Sequence, residues 1–223
     1  EIIPKFNDSL IVDSADIAGD YLELGIDSIL ENDTLKELPI IKTFMSVGKI
    51  ANNIRERNLL KNLANFISEL NSGNIDVNIL KKHQEMLKEN PKKAEKELGR
   101  ILIILDTVIE NKKAVLLAKL YKSYINVEIN WEKFSEYSEI IVRLFVQDIC
   151  ILADIYNNKV DDTYEADDMY KIERLNSLGL ISLSANAIFK NSKGDMMTEF
   201  PIEINNYGKL FCQIILALLV CVK

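Results

Sequence analysis

Apolar and polar positions repeat along most of this chain with the period of a helix. The clearest case is "ENPKKAEKELGRILIILDTVIEN", where Ala94, Leu98, Ile101, Leu105 and Val108 recur at steps of four and three. Leu102 and Ile109 widen the stripe, so this segment is predicted to be a core helix packed against two partners. Asn90 is placed to cap it and Pro91 fits its first turn, where the missing N–H costs nothing. "KKAVLLAKLYKSYIN" continues the pattern through Ala114, Leu117, Tyr121 and Tyr124.

The same period runs through the flanking segments. "LPIIKTFMSVGKIANNIRERNLLKNLANFISELNSG" carries Ile40, Phe44, Val47, Ile54, Leu63, Phe66, Ile67 and Leu70, with Pro39 in a first turn and Gly73 as the stop. It reads as one long helix, or as two broken near Gly48. Asp76 caps a short helix reaching about Lys88. Residues 8–31 have looser spacing, and their two glycines each cost about 1 kcal/mol in a helix interior. Trp131 opens a helix expected to run through Phe134, Ile141, Phe145, Ile149 and Leu152 to Tyr156.

The pattern changes after Tyr156. "NNKVDDTYEADD", residues 157–168, is polar, acidic and aperiodic. Beyond it come a helix from Asp168 to Leu178, strands near 180–189 and 199–204 around a turn at Gly194, and a last helix from Asn206. The expected fold is mainly α: an antiparallel multi-helix bundle over residues 1–157, an acidic linker or hinge at 158–168, and a small winged-helix-like helix, β-hairpin, helix module at 169–223.

Composition agrees with helices. Of 223 residues 48% are apolar, and 8 Gly and 4 Pro leave little room for long loops. The net charge of −7 opposes broad wrapping of nucleic acid, which needs an excess of Lys and Arg. Cys150, Cys212 and Cys221 lie in apolar runs without CxxC spacing and read as core thiols of a reducing cytoplasm. The chain begins at Glu1 rather than a methionine, so a preceding segment is expected. Residues 210–222 are apolar but shorter than the roughly 20 that a membrane span needs, and Gln213 interrupts them. They read as a buried last helix, with membrane contact the rival reading, alongside the apolar segment at 39–51.

Little points to chemistry. His83 is the single histidine, lies among lysines, and reads as a surface residue. No second His or paired Cys stands at metal-ligand spacing, and no nucleophile elbow or phosphate-binding glycine loop is present. No catalytic residue, metal or cofactor is therefore expected. Lys81, Lys82, Lys88, Lys92, Lys93, Lys96 and Arg100 are interleaved with Glu85, Glu89, Glu95 and Glu97, which reads as a solvated, salt-bridged face. A DNA-binding role for the C-terminal module would rest on Lys171, Arg174, Lys190 and Lys193 and on a homodimer, against Asp168, Glu173 and Asp195 nearby.

Two stretches carry a family likeness. "LPIIKTFMSVGKIANNIRERNLLKNLANFI" is a proline-led apolar helix followed by an Ile-Arg-acidic-Arg step. "LNSLGLIS" with "INNYGKLFCQII" supplies a Leu-Gly-Leu-Ile strand start and a Gly-x-x-Phe helix. Together, over roughly residues 38–215, they resemble the Abi-alpha abortive-infection family of bacterial proteins. The resemblance implies a role in defence against phage and brings no catalytic residues with it. Arg55, Glu56 and Arg57 are its most distinctive match and the expected partner-binding residues. The expectation is a cytoplasmic, non-enzymatic factor that binds another protein. A DNA-binding regulator and a membrane-acting effector are the alternatives.

Overall fold

The computed structural model describes residues 2–12, 33–46, 53–72, 75–159, 169–183, 187–190, 196–199 and 202–216. The fold is mainly helical, with an antiparallel hairpin between helices near the C-terminus. Tertiary contacts divide it into Glu1–Val142 and Arg143–Lys223.

The first unit contains α1 (Ile2–Asp8), α2 (Asp33–Glu37), α3 (Pro39–Ser46), α4 (Ile54–Leu70), α5 (Val77–Glu89), α6 (Pro91–Thr107), α7 (Asn111–Ile125) and α8 (Trp131–Arg143), whose last residue opens the second unit. Helix starts follow their caps. The side chains of Asn53, Asp76, Asn90 and Asn130 accept backbone N–H bonds at the starts of α4, α5, α6 and α8. The long segment from Pro39 is thus two helices, α3 and α4, and the suspected break at Gly48 lies outside the described residues, as does most of 8–31.

The most extensive packing is between α4 and α7. Leu63, Phe66, Ile67 and Leu70 on one, and Ala114, Leu117 and Tyr121 on the other, are buried. The phenyl of Phe66 meets the Tyr121 ring with centroids 6.1 Å apart. Helix α6 buries the anticipated Ala94, Leu98, Ile101 and Leu105. Ile109 is a correction: α6 ends at Thr107, and Ile109 stands beyond it, exposed. Arg100 ties α6 to α8 through the Ser135 carbonyl, Ser138 Oγ and Glu139.

Helix α7 stops in an unusual way. Glu128 N–H donates to the Ser123 carbonyl at 2.9 Å, the wide bond of a Schellman stop, and Val127 takes the left-handed position with φ 62°. A β-branched residue is disfavoured there.

The helix expected from Trp131 to Tyr156 is two. After α8 the chain makes tight turns, with Asp148 N–H bonded to the Phe145 carbonyl, and α9 (Asp148–Tyr156) then begins. Helix α9 packs with elements of the second unit: α10 (Met169–Ser177), β4 (Ile202–Ile204) and α11 (Asn206–Leu216). The contact boundary therefore falls at Val142–Arg143; the expected hinge at 158–168 lies almost wholly outside the described residues.

In the second unit β1 (Ile181–Leu183) pairs with β4, and β2 (Ala187–Lys190) with β3 (Met196–Glu199), both antiparallel. Ile181 stands opposite Ile204 and Ala187 opposite Glu199, so the inner ladder is one residue out of step with the outer. Gly194 lies outside the described residues.

The Leu-Gly-Leu step has a structural role. Gly179 ends α10 at φ +73°, and Leu180 N–H reaches back to the Leu175 carbonyl at 3.2 Å. Asn205 donates to the Gly179 carbonyl and accepts from Gly208 N–H, both at 2.8 Å. A Cβ on Gly208 would collide with the Leu180 carbonyl oxygen, so only glycine lets α11 lie this close. Phe211, Cys212, Ile214 and Ile215 are buried while Gln213 faces out. Cys150, expected in the core, is exposed, because it occupies the outer face of α9 while Ile149, Ile151 and Leu152 are buried. Cys221 lies outside the described residues. Among the described residues no helix is long and apolar enough to cross a membrane.

Candidate functional site: an apolar groove along helix α6

Helix α6 carries two stripes. The first faces the core. The second, Glu95, Gly99, Leu102, Ile103 and Asp106, is displaced by about one residue and lines open space. These positions recur at four, three, one and three, the spacing of a single helix face.

Between this face, α1 and the α5–α6 corner lies a cavity of about 1100 Å³, floored by Ile2, Ile3, Leu87 and Ala94. A second hollow of about 410 Å³ adjoins it, walled by Phe44, Arg55, Glu56 and Leu59. Ile2, Leu102 and Ile103 line both, so the two form one groove. Ile103, near its middle, is 70% exposed, and Ile2 is 43% exposed.

Charged side chains stand along the edge. Lys88 Nζ lies 2.9 Å from Asp8 Oδ1. Arg55 forks onto Asp106, with Nε 2.9 Å from Oδ1 and Nη2 on Oδ2. Arg55 is placed for this by Asn53, whose side chain accepts its backbone N–H and starts α4. Of the three expected partner-binding residues, the fold brings Arg55 and Glu56 to the groove wall, whereas Arg57 is half-buried and is not part of the lining. At the floor, Asn7 donates to the Gln84 carbonyl and its own carbonyl accepts from Gln84 Nε2. Its Oδ1 has no hydrogen-bond partner among the described residues.

The second polar constellation overturns the surface reading of His83. The imidazole is largely buried, with Nε2 3.1 Å from Glu97 Oε2 and 2.9 Å from Tyr121 Oη. Tyr124 Oη donates to Glu97 Oε1 at 2.6 Å, and Lys93 Nζ lies 3.7 Å from that oxygen. The Glu97 side chain is 2% exposed, so it is no part of a solvated face. Burial pushes its carboxyl up, but the hydrogen bonds from His83 and Tyr124 and the charges of His83 and Lys93 outweigh that and hold it below the usual carboxylate range. Burial, then the Glu97 charge and hydrogen bond, raise the Tyr121 phenol well above its ordinary value; Tyr124 rises for the same reasons. Both therefore stay donors. The cluster joins α5, α6 and α7, and neither hollow of the groove includes any of these four residues. Composition placed His83 among lysines; which face of α5 turned inward was not readable there.

In the second unit Arg174 is bidentate on Asp148, Nε to Oδ2 at 2.9 Å and Nη2 to Oδ1 at 2.6 Å. The Asp148 side chain is 1% exposed. The guanidinium also lies 4.3 Å from the Phe145 ring centre and 4.8 Å from that of Tyr170. Lys171 Nζ is 5.7 Å from the Tyr170 ring centre. Lys190 ends β2, and Lys193 lies outside the described residues. Arg174 is thus spent on a buried carboxylate, and it shares the Tyr170 ring with Lys171.

Among the described residues no group of three or more His, Cys, Asp or Glu converges as a metal site would. No protein-family model matches the chain, and comparison with curated proteins and with solved structures finds no match.

Proposed function

We propose that this chain is a non-enzymatic, cytoplasmic protein-binding factor whose docking surface is the groove along α6. The observation that carries the reading is Ile103: a large aliphatic side chain, mostly exposed, in the middle of a groove whose floor is also apolar. Scattered apolar residues on a surface need no explanation, but a contiguous concave apolar patch with a charged edge is the form that partner sites take. Arg55 and Asp106 at one end would add charge-assisted contacts where the partner passes over them. The setting in phage defence is drawn from the resemblance of residues 38–215 to the Abi-alpha family.

DNA binding is less well supported, because Arg174, its central cation, neutralises Asp148. A membrane-acting role has less support still, since Phe211, Ile214 and Ile215 are already buried within the fold.

The test is reconstitution. A protein that co-purifies with the tagged chain from phage-infected cells is produced separately and titrated onto the wild type and onto Ile103→Asp. The expected result is one-to-one binding weakened at least tenfold by Ile103→Asp, with melting temperature unchanged. Unaltered affinity would remove the groove as the docking site.

A further inference from the structure

We infer that the occupant of the groove is a basic amphipathic helix of about four turns, supplied by a partner protein. The inference rests on the docking reading above and adds the chemistry of the partner.

Length comes from α6. Its lining residues run from Pro91 to Asp106, which at about 1.5 Å per residue is roughly 22 Å of wall, matching a partner helix of about 15 residues. An extended strand is a poorer fit, because the walls are helices and offer no row of free backbone groups for it to pair with.

Sign comes from the edge. Four carboxylates, Asp8, Glu56, Glu95 and Asp106, face two cations, Lys88 and Arg55. The cations are paired with Asp8 and Asp106. Glu56 and Glu95 make no ion pair among the described residues, and they stand in different hollows of the groove. An apolar floor with an unneutralised acid in each hollow is complementary to a helix that carries an aliphatic stripe between Lys or Arg residues. The same sign opposes an anionic lipid surface and the phosphates of nucleic acid, as does the net charge of −7.

The probe is a fluorescent 15-residue helical peptide with leucines on one face and lysines beside them. It is compared with a twin carrying Glu in place of Lys and with a scrambled peptide of identical composition. Binding is read by fluorescence anisotropy at two salt concentrations. The Lys peptide is expected to bind the wild type at least tenfold more tightly than either control. Two exposed ion pairs together are worth roughly five- to tenfold, so Glu56→Gln with Glu95→Gln should weaken the Lys peptide by about that factor and flatten its salt dependence. Ile103→Asp should abolish its binding, and Ile103→Ser serves if the aspartate variant proves unstable.

If Lys and Glu peptides bind alike and both are lost with Ile103→Asp, the groove is a docking site but its partner is not selected by charge, and the inference falls alone. If Lys-peptide binding is indifferent to Ile103, both readings fall. Sedimentation with anionic vesicles, or self-association of the chain that Ile103→Asp abolishes, names a different occupant and overturns the inference.

Discussion

His83 Nε2 lies 3.1 Å from Glu97 Oε2, joining α5 to α6 inside a cage of aromatic rings. The His83 and Tyr121 rings meet edge-on with centroids 5.7 Å apart, and Tyr124 stacks on Tyr121 at 5.9 Å. The Glu97 carboxylate is the anion on which this arrangement turns: removed from water, it is compensated by an imidazole, two phenols and a nearby ammonium.

That compensation makes stability depend on acid. Glu97 titrates lower in the folded chain than an unfolded glutamate, near 4.3, would. The unfolded state therefore binds the proton first as pH falls. The contribution is complete from about pH 5.5, roughly one unit above the unfolded value, and is lost as pH drops through the lower folded value. Urea midpoints between pH 7 and 3 should fall more steeply for the wild type than for Glu97→Gln, which starts lower at pH 7. Parallel curves would show that the carboxylate carries no such linkage.

Two glycines should respond in opposite directions. Gly208→Ala sets a methyl against the Leu180 carbonyl oxygen, a backbone atom that cannot turn away, and should cost several kcal/mol or displace α11. Gly99→Ala, in mid-helix, meets nothing nearer than Glu95 Oε1 at 3.7 Å and should gain about 0.5–1 kcal/mol from helix propensity. Chemical denaturation of the two variants reads both.

Val127 is a stabilisation target. Its φ of 62° strains a β-branched residue that is 86% exposed. Val127→Gly relieves the backbone at the expense of unfolded-state entropy, and a net gain of about 0.5–1 kcal/mol is expected. A loss would mean that the exposed isopropyl group contributes to packing or binding.

Arg174 and Asp148 should behave as a unit. Arg174→Met leaves the buried Asp148 carboxylate unpaired and should lower the urea midpoint clearly. Arg174→Lys should recover only part, since an ammonium lacks both the fork and the flat face presented to Phe145 and Tyr170. Adding Asp148→Asn to Arg174→Met should cost less than the sum of the two singles. DNA affinity is for that reason better probed with Lys171→Ala, with the melting temperature of the variant measured beside it.

What the sequence by itself determined was local. The starts of α5 and α6 coincide with the caps read from the sequence, Asp76 and Asn90, because a capping bond spans only two or three residues; Asn53 and Asn130 cap α4 and α8 in the same way but were not read as caps. The Leu-Gly-Leu step and Gly208 were visible as signals, although their clasp through Asn205 was not. Tertiary structure decided what lies between elements. Periodicity gives the angle of a residue around its helix, but not which neighbour covers that angle. Leu98 and Ile103 are equally apolar; α6 buries the first and leaves the second in a groove. The same reasoning separates His83 from its surrounding lysines and ends the long helix at Arg143, where Asp148 turns to Arg174. The His83 and Asp148 contacts rest on partners 14 to 38 residues away, a distance over which neither a cap nor a stripe carries information.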